Sequence, residues 1–519
     1  MAVNYIYNLG LAFHKLAERH SERPALLMLD GTSQTYGELE VLSNQIATFL
    51  ITKGIKKGDV VAIFNKKLPQ TYSCMLACLK IGAVYLNVDT SSPLERVKKI
   101  FDVSQPSILW SNSEKIDELK IEVTSDIDII DYLDPIFMNE LQALSDKFPT
   151  QNHMVDGNSP AYIMFTSGST GFPKGAVISH TNVLNFISWS QSTFSITPED
   201  IITNINPMHF DNSVFDFYSS IYHGAALIPV GEKLLKNPRK LLDALNSMHC
   251  TLWFSVPSLI IYILRMRALK ETDLPSLRTM IFGGEGFPKN QLRVLKNILK
   301  DRIRLINVYG PTESTCICSA YEVCTNDLAS DELLPLGRIA QNYRFLVVDN
   351  NQIQINDSEV GELYLGGPNV GIGYYRDAEK TAGAFVQNPF HSDYRDIYYK
   401  TGDLVSYDVT RDTLLFCGRK DNQVKRMGYR IELEEIEYAI GALDYVVENA
   451  VVSIKTETDI IRIIACVSSN ICDEIKLIED LCLNLPSYMI PDRVIFMDIL
   501  PKNQNGKIDR QALVEMEDI

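Results

Sequence analysis

A chain of 519 residues is several times the roughly 100–200 residues of one ordinary domain, which excludes a single small binding module. With 46% hydrophobic and 22% charged residues, the composition is that of a folded globular protein and too apolar for extended disorder. The 49 basic and 65 acidic residues leave a net charge of −16. That balance opposes non-specific binding to nucleic acid or to an anionic membrane, while still allowing one basic pocket around a small anion.

The opening MAVNYIYNLGLAFHKL lacks a basic region ahead of an apolar run, so no signal peptide is expected. The apolar stretch from Thr251 to Met266 contains Pro257 and is shorter than the ~20 residues of a spanning helix. The ten cysteines, among them Cys74, Cys78, Cys316, Cys318 and Cys417, include neither a CxxC pair nor a zinc-like His cluster. Reduced, packed thiols in a cytoplasmic protein are the expectation.

In chain order, the segment from Asp59 to Phe64 predicts a strand and the one from Leu68 to Ile81 a helix. Further buried strands are predicted at Ile108 to Trp110, Ala161 to Phe165, Ala226 to Val230, Leu252 to Phe254, Thr279 to Phe282 and Arg304 to Val308. This alternation predicts an α/β fold with helices on both faces of layered sheets and ligands at the carboxyl ends of strands. After the acidic stretch from Asn326 to Glu332, the segments Phe345 to Asp349, Gly361 to Leu365 and Leu414 to Cys417 predict a small antiparallel, β-barrel-like subdomain. Beyond a short joint at Gly418 to Asp421, a separate α+β unit is expected. It has a helix at Ile431 to Leu443, strands at Ala450 to Ile454, Ile461 to Ser468 and Val494 to Met497, and a second helix at Ile475 to Leu485.

The strongest local signal is Thr166-Ser-Gly-Ser-Thr-Gly-Phe-Pro-Lys-Gly175, directly after a predicted strand. Glycines at 168 and 171 let backbone N–H groups approach an anion, hydroxyls of Thr166, Ser167, Ser169 and Thr170 donate to phosphate oxygens, and Lys174 adds a point charge. It is not a Walker A loop, because Lys174 is followed by Gly175. Taken alone such a loop also fits a plain surface turn; the order of strand, loop, lysine and strand favours phosphate.

The segment resembles the phosphate loop of the adenylate-forming superfamily: acyl-CoA synthetases, luciferases and the adenylation domains of nonribosomal peptide synthetases. Further motifs follow in that superfamily's order. They include Gln34-Thr-Tyr-Gly-Glu-Leu39, Leu79-Lys-Ile-Gly82, Phe210-Asp-Asn-Ser-Val-Phe215, Asn307-Val-Tyr-Gly-Pro-Thr-Glu313, Tyr399-Lys-Thr-Gly-Asp-Leu404, Gly418-Arg-Lys-Asp421 and Asn505-Gly-Lys-Ile-Asp-Arg510. The resemblance implies an AMP-forming acid–thiol ligase. A carboxylate attacks the α-phosphate of ATP, pyrophosphate leaves, and the acyl group passes to a thiol. It implies an N-terminal adenylation body over 1–417, a hinge at 418–421 around Asp421, and a mobile C-terminal lid over 422–519.

By the same resemblance, Lys507 meets the substrate carboxylate and the α-phosphate side of the nucleotide, Thr312 contacts the α-phosphate, and Glu313 holds Mg²⁺. Asp403 takes the ribose hydroxyls, with Arg419 beside it. Tyr309 stacks on adenine, Asn307 reads its amino edge, and Gly284 and Glu285 line the base. The basic face from Lys425 to Arg430 turns in for thiol transfer or is a solvated patch, and Gly428 lets a pantetheine arm approach or marks a turn.

Asp211 stands where amino-acid-activating members place the partner of the α-ammonium group; a helix cap is its other reading. The remaining substrate positions carried over are Asn212, Phe215, Ser255, Ile281, Gly283, Val308, Cys316 and Ile317. None is ionised, which implies a neutral amino acid. The chain most resembles stand-alone amino-acid adenylation enzymes such as D-alanine:carrier-protein ligase, but Gly283 replaces an expected cysteine and Asn212 is unusual beside the aspartate. With nine residues after Arg510, the acceptor is expected to be a separate phosphopantetheinyl carrier protein, as in nonribosomal peptide synthesis. Free coenzyme A, used by acyl- or aryl-CoA ligases, is the alternative. No nucleic-acid or membrane partner is expected, and the chain is expected to be monomeric. A nucleotide-binding regulatory protein that has lost catalysis is opposed by the presence of Lys174, Glu313 and Lys507.

Overall fold

The apolar runs ahead of Gly, Pro and Ser clusters form strands at Ile108–Ser111, Pro160–Thr166, Ala226–Pro229, Leu252–Ser255, Thr279–Gly283 and Arg304–Tyr309. Each lies within a residue or two of its sequence expectation. The structure is a computed structural model that describes residues 6–111, 127–168, 171–351, 353–355, 359–456, 461–503 and 508–516. It divides into two units. The first takes in Met1–Thr90, Ser104–Met164 and Gly175–Lys420; the second takes in Ser91–Val103, Phe165–Lys174 and Asp421–Ile519.

A nine-stranded sheet in the first unit has six adjacent parallel strands, Arg304–Tyr309, Thr279–Gly283, Leu252–Ser255, Ile201–Asn204, Ala226–Pro229 and Pro24–Leu27, with antiparallel strands at its edges. Successive residues bury on opposite faces, as the pleat requires. Leu227, Phe254 and Ile281 enter one core, and their neighbours Ile228, Trp253 and Met280 enter another. Both faces are therefore apolar, which explains the unbroken hydrophobic runs. The first of these cores also takes Ile63, Tyr85, Trp110 and Tyr162 from a seven-stranded sheet. An antiparallel sheet of Arg344–Val348, Gly361–Gly366, Ile397–Asp408, Phe385–Gln387 and Thr413–Arg419 completes this unit.

A buried polar network fixes the carboxyl ends of two central strands. Lys67 Nζ donates to the carbonyls of Asn204 (2.8 Å), Ile205 (3.0 Å) and Val230 (2.9 Å). The carboxylate of Asp216 accepts from Asn204 Nδ2 at 2.9 Å and from the Asn206 backbone N–H at 3.2 Å. Tyr72 donates to Asn204 Oδ1 at 2.5 Å. Burial pushes the Lys67 ammonium down and the Asp216 carboxyl up from their ordinary values, and each opposes the other's shift.

In the second unit, Val446–Lys455, Ile461–Ser469 and Arg493–Phe496 form a three-stranded sheet packed by the helices Leu433–Gly441 and Glu474–Cys482. The sequence expectation of a helix beginning at Ile431 is two residues early, because Tyr429–Glu432 is a strand paired with Gln423–Arg426. Met427 and Gly428 connect them with φ of 52° and 81°, the two-residue turn that matches strand twist. Gly428 is therefore a hairpin residue rather than the approach to a helix. Among the described residues no helix is long and apolar enough to cross a membrane.

One histidine tests the packing of the first unit. His180 is fully buried, and its Nδ1 accepts the Leu9 N–H at 3.0 Å, while Nε2 has no partner among the described residues. Burial pushes this ring down from its ordinary 6.5 to about 3. The unfolded chain takes up the proton first as pH falls, so the stabilisation is complete above 6.5 and is lost towards 3, by up to about 1.4 kcal/mol per pH unit. His180→Gln should flatten the urea midpoint between pH 6.5 and 4; a profile parallel to the parent's would refute the assignment.

Candidate functional site

The helix Asn212–Ile221 carries Asp216 into the network with Asn204 and Asn206. Asp211, the residue before it, has helical backbone angles and accepts no N–H of the first turn, so it is not a side-chain cap. Its Oδ2 instead accepts the Thr312 hydroxyl at 2.6 Å. Thr312 and Glu313 lie on a short 3-10 turn after the strand Arg304–Tyr309. The structure thus joins Asp211 to a residue 101 positions away.

The other positions expected to face the substrate also belong to the first unit. Ile281, Val308, Cys316 and Ile317 are buried. A side chain at Gly284 would come into ordinary contact with the Asn212 amide nitrogen and Val256. The Ser255 hydroxyl is fully buried, accepting from Trp253 Nε1 at 2.7 Å and donating to the Val256 carbonyl at 3.2 Å. Phe215 packs edge-on against Phe186, Phe194 and Phe254. Burial first, and then the charge of Asp211, push the Cys316 thiol well above its usual range. Cys316 is thus a packed thiol.

A second group surrounds Asp403. Its Oδ2 accepts the Tyr309 hydroxyl and its Oδ1 accepts Arg419 Nη1 at 2.7 Å, while Arg419 also donates to the Thr401 carbonyl at 3.0 Å. Burial, and next the charge of Asp403, hold the Tyr309 hydroxyl protonated far beyond neutral pH. Asn307 Nδ2 donates to the Pro335 carbonyl at 2.8 Å, which orients the amide and leaves its oxygen as the second polar end. Glu285 Oε1 accepts the Ser258 N–H at 2.7 Å, at the start of the helix Pro257–Arg265. Glu313 is fully buried and accepts the Tyr374 hydroxyl at 2.8 Å. Among the described residues no three His, Cys, Asp or Glu side chains cluster as a metal site. One carboxylate is sufficient for Mg²⁺, which keeps several waters and takes other ligands from substrate phosphates.

The second unit carries the loop expected to bind phosphate. Thr166 Oγ1 bonds to the Lys174 carbonyl at 3.5 Å, and Ser167 Oγ donates to the Arg430 carbonyl at 2.8 Å. Gly168 N–H donates to Glu435 Oε2 at 3.1 Å, and Lys174 Nζ lies 3.7 Å from Glu432 Oε1. Asp421 Oδ1 accepts the Gln423 N–H at 3.3 Å. Ser169, Thr170 and Lys507 lie outside the described residues. Sequence reasoning missed Glu432, Glu435 and Tyr374. The two glutamates sit in the run Glu432-Leu-Glu-Glu-Ile-Glu437, which reads as the solvated face of a helix, and the Met427-Gly428 turn signal was the available clue that a hairpin precedes it.

The family described as AMP-binding enzyme matches residues 13–375, and its C-terminal domain family matches residues 435–507. The chain is 31% identical over 488 residues to a D-alanine–D-alanyl carrier protein ligase of Bacillus cereus, covering 92% of this chain and 94% of that one. It is also 31% identical over 484 residues to an L-proline–L-prolyl-carrier protein ligase of Pseudomonas fluorescens, covering 92% and 93%. Among solved structures, the Vibrio cholerae adenylation domain AlmE, in complex with glycyl-adenosine-5'-phosphate, shares the fold with a TM-score of 0.84 at 24% identity, covering 99% of this chain and 98% of that one. The fold is a mixed α/β one with a large N-terminal body and a small C-terminal domain.

Gly283 pairs with Val308 across adjacent parallel strands, and a Cβ built on it would overlap the Val308 carbonyl oxygen. Backbone cannot swing aside as a side chain does. Gly283→Cys should therefore lower stability by about 1–3 kcal/mol, read from urea unfolding; an unchanged midpoint would show that the strands part readily.

Proposed function

Because this chain belongs to the AMP-binding enzyme family, we propose that it activates a neutral amino acid as its adenylate and passes it to the phosphopantetheine thiol of a separate carrier protein. The observation that carries the amino-acid part is the carboxylate of Asp211, turned from the helix it precedes and held by Thr312. A substrate ammonium replaces that neutral hydrogen bond by a charge-assisted one, and a substrate without an amine leaves the carboxylate less well paired. Uncharged surroundings at Asn212, Ser255, Gly283 and Ile317 favour a neutral side chain.

In the first step an oxygen of the substrate carboxylate forms a bond to the α-phosphorus of ATP, and the bond to the β-phosphate oxygen breaks to release pyrophosphate. Bringing two anions together needs fixed positive charge, which Lys507 and Lys174 supply. Asp403, oriented by Tyr309 and Arg419, takes the ribose hydroxyls, and Asn307 offers its oxygen to the adenine amino group. Mg²⁺, held through Glu313, neutralises phosphate charge when bound. In the second step the carrier thiol gives up its proton to solvent, its sulfur bonds to the acyl carbon, and the bond from that carbon to the phosphate oxygen breaks as AMP leaves. Asp421 is the hinge between the two steps. The D-alanine, proline and carrier-protein names of the relatives support an amino acid and a carrier over a coenzyme A ligase.

Amino-acid-dependent ATP–pyrophosphate exchange, run across L- and D-amino acids with fatty and aryl acids as controls, tests the reading. Exchange is expected with one or a few neutral amino acids, and exchange only with acids lacking an amine would overturn it. Asp211→Ala should raise KM for the amino acid about tenfold or more, with a smaller effect on the KM for ATP; equal effects on both would place the ammonium elsewhere. Lys507→Ala should abolish exchange while sparing thioester formation from preformed adenylate, and parallel loss of both would refute the division of steps.

A further inference from the structure

The anion-binding groups of the phosphate loop are already engaged within the second unit, and by carboxylates. Gly168 N–H points at Glu435 and the Lys174 ammonium faces Glu432. The Ser167 hydroxyl donates to the Arg430 carbonyl and accepts the Glu432 N–H at 3.2 Å. Glu432 and Glu435 are buried and lie at the junction of the strand Tyr429–Glu432 and the helix Leu433–Gly441. Arg96, also buried, donates to the second oxygen of Glu435 at 2.5 Å. The same helix places the Tyr438 ring against Gly171 and 6.2 Å from the Phe172 ring.

A backbone N–H and an ammonium directed at carboxylate oxygens, beside a hydroxyl that donates to the Arg430 carbonyl, form the donor set that a polyphosphate would use, with two negative charges where phosphate charge belongs. We propose that Glu432 and Glu435 stand in for phosphate. The loop holds either these carboxylates or the phosphates of ATP, and the two states exclude each other. Glu435 is then a positioning residue: after pyrophosphate leaves it takes over the loop's donors, and Arg96 keeps its charge compensated in either state. The inference rests on the assignment of the loop to phosphate made above.

The probe is ATP with Mg²⁺, titrated calorimetrically into the full-length protein. A ligand that must displace a competing arrangement binds more weakly by the fraction of molecules open to it. Glu435→Gln keeps the shape and removes the charge, so it should tighten ATP about three- to tenfold, and Glu432→Gln should act in the same direction. Lys174→Ala should weaken ATP in the parent and in Glu435→Gln. An unchanged or weakened ATP affinity in both glutamine variants, with Lys174→Ala still weakening it, overturns the stand-in role alone. An ATP affinity indifferent to Lys174→Ala overturns the loop's assignment and the inference with it. If the glutamine variants do not fold, hydrogen exchange on the unmodified chain decides. Saturating ATP should raise exchange across residues 430–438, and lowered or unchanged exchange there overturns the proposal.

Discussion

The ammonium of Lys67, buried beneath three carbonyls, is the constraint on which the first unit's site depends. Strand ends in a parallel sheet leave carbonyls that the ladder does not satisfy, and burying them without a donor is costly. One lysine satisfies those of Ile205 and Val230 and adds a second donor to that of Asn204, and Asp216 with the two asparagines completes the charge balance. Asp216 belongs to the helix that Asp211 precedes. The network that closes the sheet thereby sets where the Asp211 carboxylate stands.

A common arrangement recurs at three carboxylates. Asp211 accepts from Thr312, Asp403 from Tyr309 and Glu313 from Tyr374. In each case a neutral hydroxyl holds a carboxylate whose proposed partner is an ammonium, a pair of ribose hydroxyls or a metal ion. A neutral donor fixes the geometry yet yields to a stronger partner, because charge-assisted bonds are roughly twice as strong. Preorganisation of this kind lets ligand binding replace contacts instead of building them.

Much of the fold was legible because both faces of the central sheet are buried, which writes each strand as an apolar run of limited length. The parallel strands Ala226–Pro229, Leu252–Ser255, Thr279–Gly283 and Arg304–Tyr309 followed that signal closely, whereas Ile201–Asn204 was not expected and Val446–Lys455 begins ahead of its expected start at Ala450. The ordered motifs supplied site candidates because glycine, hydroxyl and carboxylate positions are spaced by loop geometry that the chain cannot vary freely. Less was readable where a side chain's partner is remote. Asp211 alone allowed a cap reading, which its bond from Thr312 replaces, and nothing in the sequence around Glu435 announces its buried pairing with Arg96. Sequence periodicity reports which face is apolar, not which polar group meets which.

The second unit is assembled from three stretches of chain, with the glycine- and hydroxyl-rich loop in the middle one. Gly168 and Glu435 are 267 residues apart. A loop that looks local in sequence is therefore among the highest-order contacts of the molecule, and long-range contacts must overcome loop-closure entropy before they stabilise anything. During synthesis, when chains emerge at about 5–20 residues per second, the glycine-rich segment leaves the ribosome well before its carboxylate partners exist. The nascent enzyme thus passes through an interval in which this glycine-rich segment has no carboxylate partner of its own, so cellular polyanions, nucleotides included, are present before its unit is complete.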